Sequence, residues 1–423
     1  MTMKDGPFDD MRGRDAPRWR LAEVTDELNA RPFPEFSLPT RVFRLCVKGR
    51  EAYASVQAAL SAVLDGVDWD VAEQGKLIRG VYHNVRVNIE RHTEFTSITL
   101  IEESQDTQSL ASALPTGWTA GISGDIVVAV DCNVRARDTQ TARQWVCASA
   151  LEGGRATAYF NFRVADDGHT KILLEFAPDC DPRDIGRVSL QVLEIETYRC
   201  FAALGLPVAR AAQQRLWEIA DMIPSAPPDL DNQSEASERF QILSKLAGEL
   251  EEIWRDTSFR FNACFAYWGL VQARLASLGE AAYDARISVG GFLERRLGPA
   301  VTTYESTARQ RDDLADQVEK LSTVLQTRIE LDLQRQNAEL LHSLNSGSER
   351  QLRLQQTVEG VSVVAISYYA VNLLVEPVLW LMMRLPLPFA PGAGSIKAAL
   401  VVLVIPAVWL AVRRLLRATV GRH

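Results

Sequence analysis

Three side chains suited to acid/base or metal chemistry lie close together in the sequence: His83, His92 and Glu94, on adjoining strand-like runs, with His169 on a further run. Imidazoles and a carboxylate in this combination suit a divalent metal or a proton-transfer pair. Alternation along a solvent-facing strand places the same residues with no chemistry at all. They form a candidate polar cluster; no residue is assigned a catalytic role, and the identity of any metal is open. A second set, Tyr369, Asn372 and Glu376, interrupts the apolar stretch "VSVVAISYYAVNLLVEPVLWLMM", residues 361–383. In an oligomer Glu376 would form a ring of carboxylates, so these three are candidates for an ion path or pore mouth. "GWTAGISGD", from Gly117 to Asp125, has three glycines but neither the dinucleotide fingerprint nor the Gly-Lys-Ser/Thr of a phosphate loop, and reads as a turn.

The elements that must position these residues follow from periodicity. Residues 1–40 read as a short helix and an extended, proline-rich arm. Residues 41–180 carry strand-like runs at "RVFRLCV", "VRVNIERH", "EFTSITLIE", "DIVVAVDC", "GRATAYFNFRV" and "HTKILLEFAP". Helical patterns fall at "EAYASVQAALSAVLDG" and "DTQTARQWVCASALEGG". The expectation is an α+β or mixed α/β domain. A connecting helix spans 181–223 and a linker 224–234. From 235 to 356 the pattern is a long helical stalk. Leu243, Leu246, Leu250, Ile253, Thr257, Cys264, Val271 and Leu278 alternate by threes and fours, and Leu314, Val318, Leu321 and Leu325 answer them from a second helix. An antiparallel pair is expected, with the turn at about 279–300 and Arg295 and Arg296 solvating it. The aromatic group "FRFNACFAYW", Phe259 to Trp268, faces several ways around its helix and points to chains packing side by side.

Residues 357–383 and 396–412 read as two transmembrane helices, joined by an extracytoplasmic loop at 384–395 and followed by a basic tail at 413–423. Val361 to Met383 rises about 35 Å as a helix, enough for a bilayer core of about 30 Å. Glu376 costs on the order of 3 kcal/mol at a span centre, against about 0.3 to 0.6 gained by each Val, Leu or Ile. The stretch holds eleven of these, so insertion wins. Arg350 and Arg353 precede the first run and Arg413, Arg414, Arg417 and Arg422 follow the second, whereas the loop region has Arg384 and Lys397. That asymmetry puts both termini on the cytoplasmic side. No apolar signal region opens the N-terminus, so the bulk of the chain is expected to stay in the cytoplasm.

At a net charge of −8 the chain does not suit general nucleic-acid binding. Its six scattered cysteines, without a C-x-x-C pair, suit reduced, packed thiols.

The segments "ELNARPFPEFSLPTRV", "RHTEFTSITL", "FLERRLGPA" and "RLQQTVEGVSVVAISYYAV" resemble, in order and over nearly the whole chain, a bacterial family known as uncharacterised domain three-four-two-two, described as predicted membrane-anchored proteins. The motif segment here is Glu27, Asn29, Arg31, Pro32 and Phe33, with Asn29 where the family typically has histidine. The resemblance implies a bacterial inner-membrane location and supplies no activity. The order of parts is also similar to magnesium transporters of the CorA type, whose Tyr-Gly-Met-Asn turn "YAVN", Tyr369 to Asn372, matches at two positions.

The combined expectation is a mixed α+β cytosolic domain on long antiparallel helices, anchored by a two-helix transmembrane hairpin. Its partners would be membrane lipid and further copies of itself, with no nucleic acid, any other protein partner unknown, and no cofactor. The alternatives are a CorA-like transporter of Mg2+ or another divalent cation, and a membrane-tethered enzyme.

Overall fold

The computed structural model describes residues 34–64, 67, 69–71, 77–82, 84–103, 117–138, 144–223, 233–384 and 392–420. The expected N-terminal helix, the motif residues Glu27 to Phe33, most of the 224–234 linker and residues 385–391 of the expected loop lie outside them. The chain divides into two units, Met1–Pro227 with Gln241–Ser322, and Pro228–Phe240 with Thr323–His423.

The first unit is built on one mixed sheet. Its strands are β1 (Thr40–Lys48), β2 (Asp70–Val71), β3 (Leu77–Tyr82), β4 (Val85–Arg91), β5 (Phe95–Glu102), β6 (Asp125–Ala136), β7 (Cys147–Leu151), β8 (Ala156–Val164), β9 (Thr170–Phe176) and β10 (Ala281–Ala282). They lie in the order β10-β7-β8-β9-β6-β1-β5-β4-β3-β2. Every neighbouring pair is antiparallel except β6 and β9. The two-residue period decides which side each residue serves. In β1, Val42 and Cys46 join the core on one face, and Phe43, Leu45 and Val47 join the core on the other. The first core is closed by helix α2 (Pro182–Ala203), which contributes Ile185, Val188, Val192 and Ile195. The second is closed by α1 (Ala52–Val63), whose Val56 and Leu60 are fully buried over β1, β4 and β5.

Helix α2 starts where its sequence says it should. Asp181 accepts a hydrogen bond from Arg183 N at 2.8 Å and Pro182 occupies the first turn, the usual chemistry of a helix start. The extended arm docks against this turn, with Phe36 N donating to Pro182 O at 3.0 Å and the Phe36 ring buried. Gly186 permits the approach, because a Cβ there would lie 1.7 Å from Pro34 O. The connecting stretch breaks after Ala203 and resumes as α3 (Gly205–Met222).

Helix α4 (Gln233–Ser277) and the long helix α5 (Val289–Arg384) run through both units. Every α4 residue assigned to the apolar seam is buried, from Leu243 to Val271, as is Leu278 just beyond its end. Leu314, Val318 and Leu325 of α5 are buried too, and Leu321 is half-buried. Each such Leu or Ile contributes about 1.5–3 kcal/mol. The pattern then fails, with Leu333, Leu340 and Leu344 all exposed. The reason is length: α4 has 45 residues, so an antiparallel partner that starts at Val289 is matched to about residue 333.

Two sequence-based readings are corrected. The segment around Trp145 was expected to be helical, but Cys147–Leu151 forms strand β7, paired with β8 and β10. Its Cys147, Ala148, Ser149 and Leu151 are buried on both faces, which removes the alternation that marks a strand. The aromatic group of α4 largely finds its partners within the chain: Phe261 stacks on Tyr304 at 5.4 Å and Tyr267 on Tyr198 at 5.8 Å, while Phe259 stays exposed.

In the second unit, the C-terminal part of α5 and helix α6 (Ala393–Val420) are long and apolar enough to cross a membrane. Only 17% and 11% of their most apolar stretches are buried in the protein, which distinguishes them from core helices. The turn expected to close them into a hairpin falls at residues outside the description.

Replacing Gly186 by Ala should displace the arm from α2 and destabilise the protein by about 1–3 kcal/mol, the usual result of overpacking. A lowered denaturation midpoint, with the sheet's circular dichroism unchanged, is the expected reading; an unchanged midpoint would refute the contact.

Candidate functional site

The predicted polar cluster separates into distinct environments. Glu94 follows β4 and is nearly buried, in an ion pair with Arg260 of α4; their side chains are 8% and 11% exposed. Tyr267 donates its hydroxyl to the other carboxylate oxygen at 3.1 Å. Burial, with the Glu94 charge beside it, pushes the Tyr267 phenol well above its ordinary value. His92 stacks on Phe95 at 4.3 Å and contacts Ser97 Oγ at 3.1 Å and Glu90 at 3.4 Å. Phe95 in turn stacks on Phe201. The His92–Glu94 segment therefore docks α4 on the sheet.

His169 lies elsewhere. It sits at the β8–β9 turn, contacts Asp167 O at 2.9 Å, and packs edge-on against Phe43 at 5.9 Å. Phe43 belongs to the core under α1 and Phe95 to the core under α2, so the sheet stands between the two histidines. His83 lies outside the described residues. Among the described residues, no group of three or more His, Cys, Asp or Glu is placed to hold a metal ion.

A cleft that no local motif announces opens on the sheet face where α1 stops. It encloses about 560 Å³ and is lined by Arg41 of β1, Asp131, Asn133 and Arg135 of β6, Asn161 of β8 and Lys171 of β9, with Trp145 closing one side. Strand register brings them together: Asp131 is level with Lys171, and Asn133 with Arg41. Asp131 is the hub, receiving Arg41 Nε and Nη2 at 2.9 and 2.8 Å and Lys171 Nζ at 2.7 Å. Burial raises the Asp131 carboxyl, but the hydrogen bonds from Arg41 and Lys171 outweigh it and hold the group below the usual carboxylate range. Arg135 binds the buried Glu175 at 2.8 Å, and Tyr159 donates to the same carboxylate at 3.1 Å.

Tyr369, Asn372 and Glu376 fall three and four residues apart on α5, and all three side chains are exposed. They sit inside an unbroken helix, so Tyr369 to Asn372 is not a turn. Asn372 also lines an apolar cavity with Val371, Lys397 of α6 and the buried Ser367, whose hydroxyl has no partner among the described residues.

All six cysteines are free thiols. Cys46, Cys132, Cys147 and Cys264 are buried, and burial pushes the thiols of Cys147 and Cys264 to about 11 and that of Cys200 to about 12.

The profile of a family described as protein of unknown function (DUF3422) matches residues 18–419. No curated protein matches the sequence.

Two measurements follow from this geometry. Glu94→Ala strands the Arg260 charge and should cost about 3–5 kcal/mol, most of it recovered when Arg260→Met is added; denaturant unfolding of the single and double variants decides this, and equal losses in both would sink it. Because the Asp131 carboxyl is lowered in the folded state, its contribution is present above the ordinary value of 3.8 and disappears as pH falls below it. Asp131→Asn should accordingly flatten the stability profile in that acid range, measured by thermal unfolding across pH.

Proposed function

This chain belongs to the DUF3422 family, and we propose that it is a membrane-anchored homo-oligomer that displays its sheet domain in the cytoplasm and carries no catalysis of its own. The observation that carries this reading is the pair of helices with apolar surfaces left uncovered by the protein: Val364, Leu373, Val402 and Leu403 are each more than two-thirds exposed. Surface of that kind suits lipid. The arginine asymmetry around the two runs supports cytoplasmic termini and a bacterial inner-membrane location.

Self-association is supported by what α5 leaves unpaired. Its seam is answered within the chain as far as Leu325, after which Leu333, Leu340 and Leu344 stand exposed without α4 opposite them. Further along the same helix, Asn372 and Glu376 share an exposed face of an apolar run. In hydrocarbon such groups need partners, which a second copy supplies. A CorA-like ion path receives less support, since the stretch that would present the amide at a pore mouth is continuous helix. Of the enzyme reading's residues, Glu94 is engaged in the ion pair that docks α4.

A Gly394→Cys variant lacking the native cysteines should react with an impermeant maleimide in intact cells, while Arg422→Cys should not; the reverse pattern would overturn the topology. In nanodiscs or detergent, native mass spectrometry should show an oligomer whose order falls in Leu340→Asp/Leu344→Asp. A full-length chain that is monomeric at every concentration defeats the proposal of self-association.

A further inference from the structure

We propose that the cleft between β1, β6, β8 and β9 binds a small molecule through an anionic carboxylate or phosphate group. Three observations converge on it. The first is charge placement: Arg41, Arg135 and Lys171 line the cleft with Asp131 as the one carboxylate in its lining, while Asp167 and Glu175 pair Lys171 and Arg135 from outside it. The second is unused donor capacity. Arg41 and Arg135 commit Nε and Nη2 to Asp131 and Glu175, which leaves Nη1 of each without an acceptor among the described residues. The third is Trp145, which lines the cleft and is 9% exposed, and whose indole N–H has no acceptor among the described residues. A buried donor left unsatisfied is destabilising, and an acceptor brought by a ligand would satisfy it.

The fixed carboxylates hold the cations in place independently of any ligand. Asp131 holds Arg41 and Lys171, and Glu175 holds Arg135, so the guanidinium groups are oriented before anything arrives, which lowers the entropy lost on binding. The volume of about 560 Å³ is that of a metabolite site. The amides of Asn133, Asn161 and Gln144 supply neutral donors and acceptors for the uncharged part of such a molecule.

The test uses the full chain in phosphatidylcholine nanodiscs, labelled with 5-fluorotryptophan, with the Trp145 resonance identified by its loss in Trp145→Phe. Inorganic phosphate and citrate are titrated separately against chloride at matched ionic strength. The Trp145 signal should shift saturably with at least one of them. Asn133→Asp, at an exposed position, adds a negative charge to the cleft and should weaken that binding on the order of tenfold or more. Lys171→Met should weaken it similarly, with Asp131 still held by Arg41. Repeating the titration in discs containing phosphatidylglycerol separates the sources. A signal already displaced without added anion, and restored by Asn133→Asp, identifies a lipid phosphate as the occupant; an unchanged titration identifies a free anion. A Trp145 signal that ignores phosphate and citrate in both discs, or a shift equally strong in Asn133→Asp with an unaltered melting curve, overturns the proposal.

Discussion

The arrangement of the first unit depends on one carboxylate taken out of water. Glu94 leaves the end of β4 beneath a helix, and a buried charge is tolerated only when its partners are in place. Arg260 and Tyr267 can both reach it when α4 presents one particular face to the sheet. The aromatic stack of Phe95, Phe201 and Tyr267 then excludes solvent from the contact. Once that face is set, the remaining apolar surface of α4 is fixed as well. Phe261 and Cys264 meet Leu297, Ala300 and Tyr304 of α5. Gly205 lets these groups approach, since a Cβ there would lie 2.8 Å from the Tyr304 ring.

The two faces of the sheet are covered unequally, and that inequality creates the cleft. One face is packed by α2, by the C-terminal part of α4 and by the first turns of α5. On the other, α1 covers the strands from β1 toward β3, and β6, β9 and β8 carry charged and amide side chains beside a small apolar cluster of Trp145, Ala148, Tyr159 and Leu173. Cross-strand pairs of opposite charge stabilise such a face without a covering helix. The same pairs hold cations at fixed spacing beside a cavity.

Much of the scaffold was legible in the sequence because it rests on local periodicity. The threes and fours from Leu243 to Leu278 mark a buried seam, and Val361 to Met383 marks a stretch too apolar for water. Strand β7 was not legible: a short strand buried on both faces and rich in Ala and Cys has no two-residue signature. The sites were hidden for a different reason. Glu94 and Arg260 are 166 residues apart in sequence. Arg41, Asp131, Asn161 and Lys171 converge from four strands whose order in the sheet differs from their order in the chain. His92 and His169 looked like neighbours in chemistry, but one packs on Phe95 and the other on Phe43, which belong to cores on opposite sides of the sheet.

The burial of the thiols gives the folded chain a property of practical use. Alkylating reagents attack the thiolate, and thiols pushed to about 11 and 12, as at Cys147, Cys264 and Cys200, hold almost none of it near neutrality. Cys147 in the sheet and Cys264 in α4 are buried as well, so each of these two reacts at the rate at which its own surroundings open. The native protein thus carries a set of built-in chemical clocks, and mass spectrometry of its modified peptides would time the opening of each layer separately, without a single substitution.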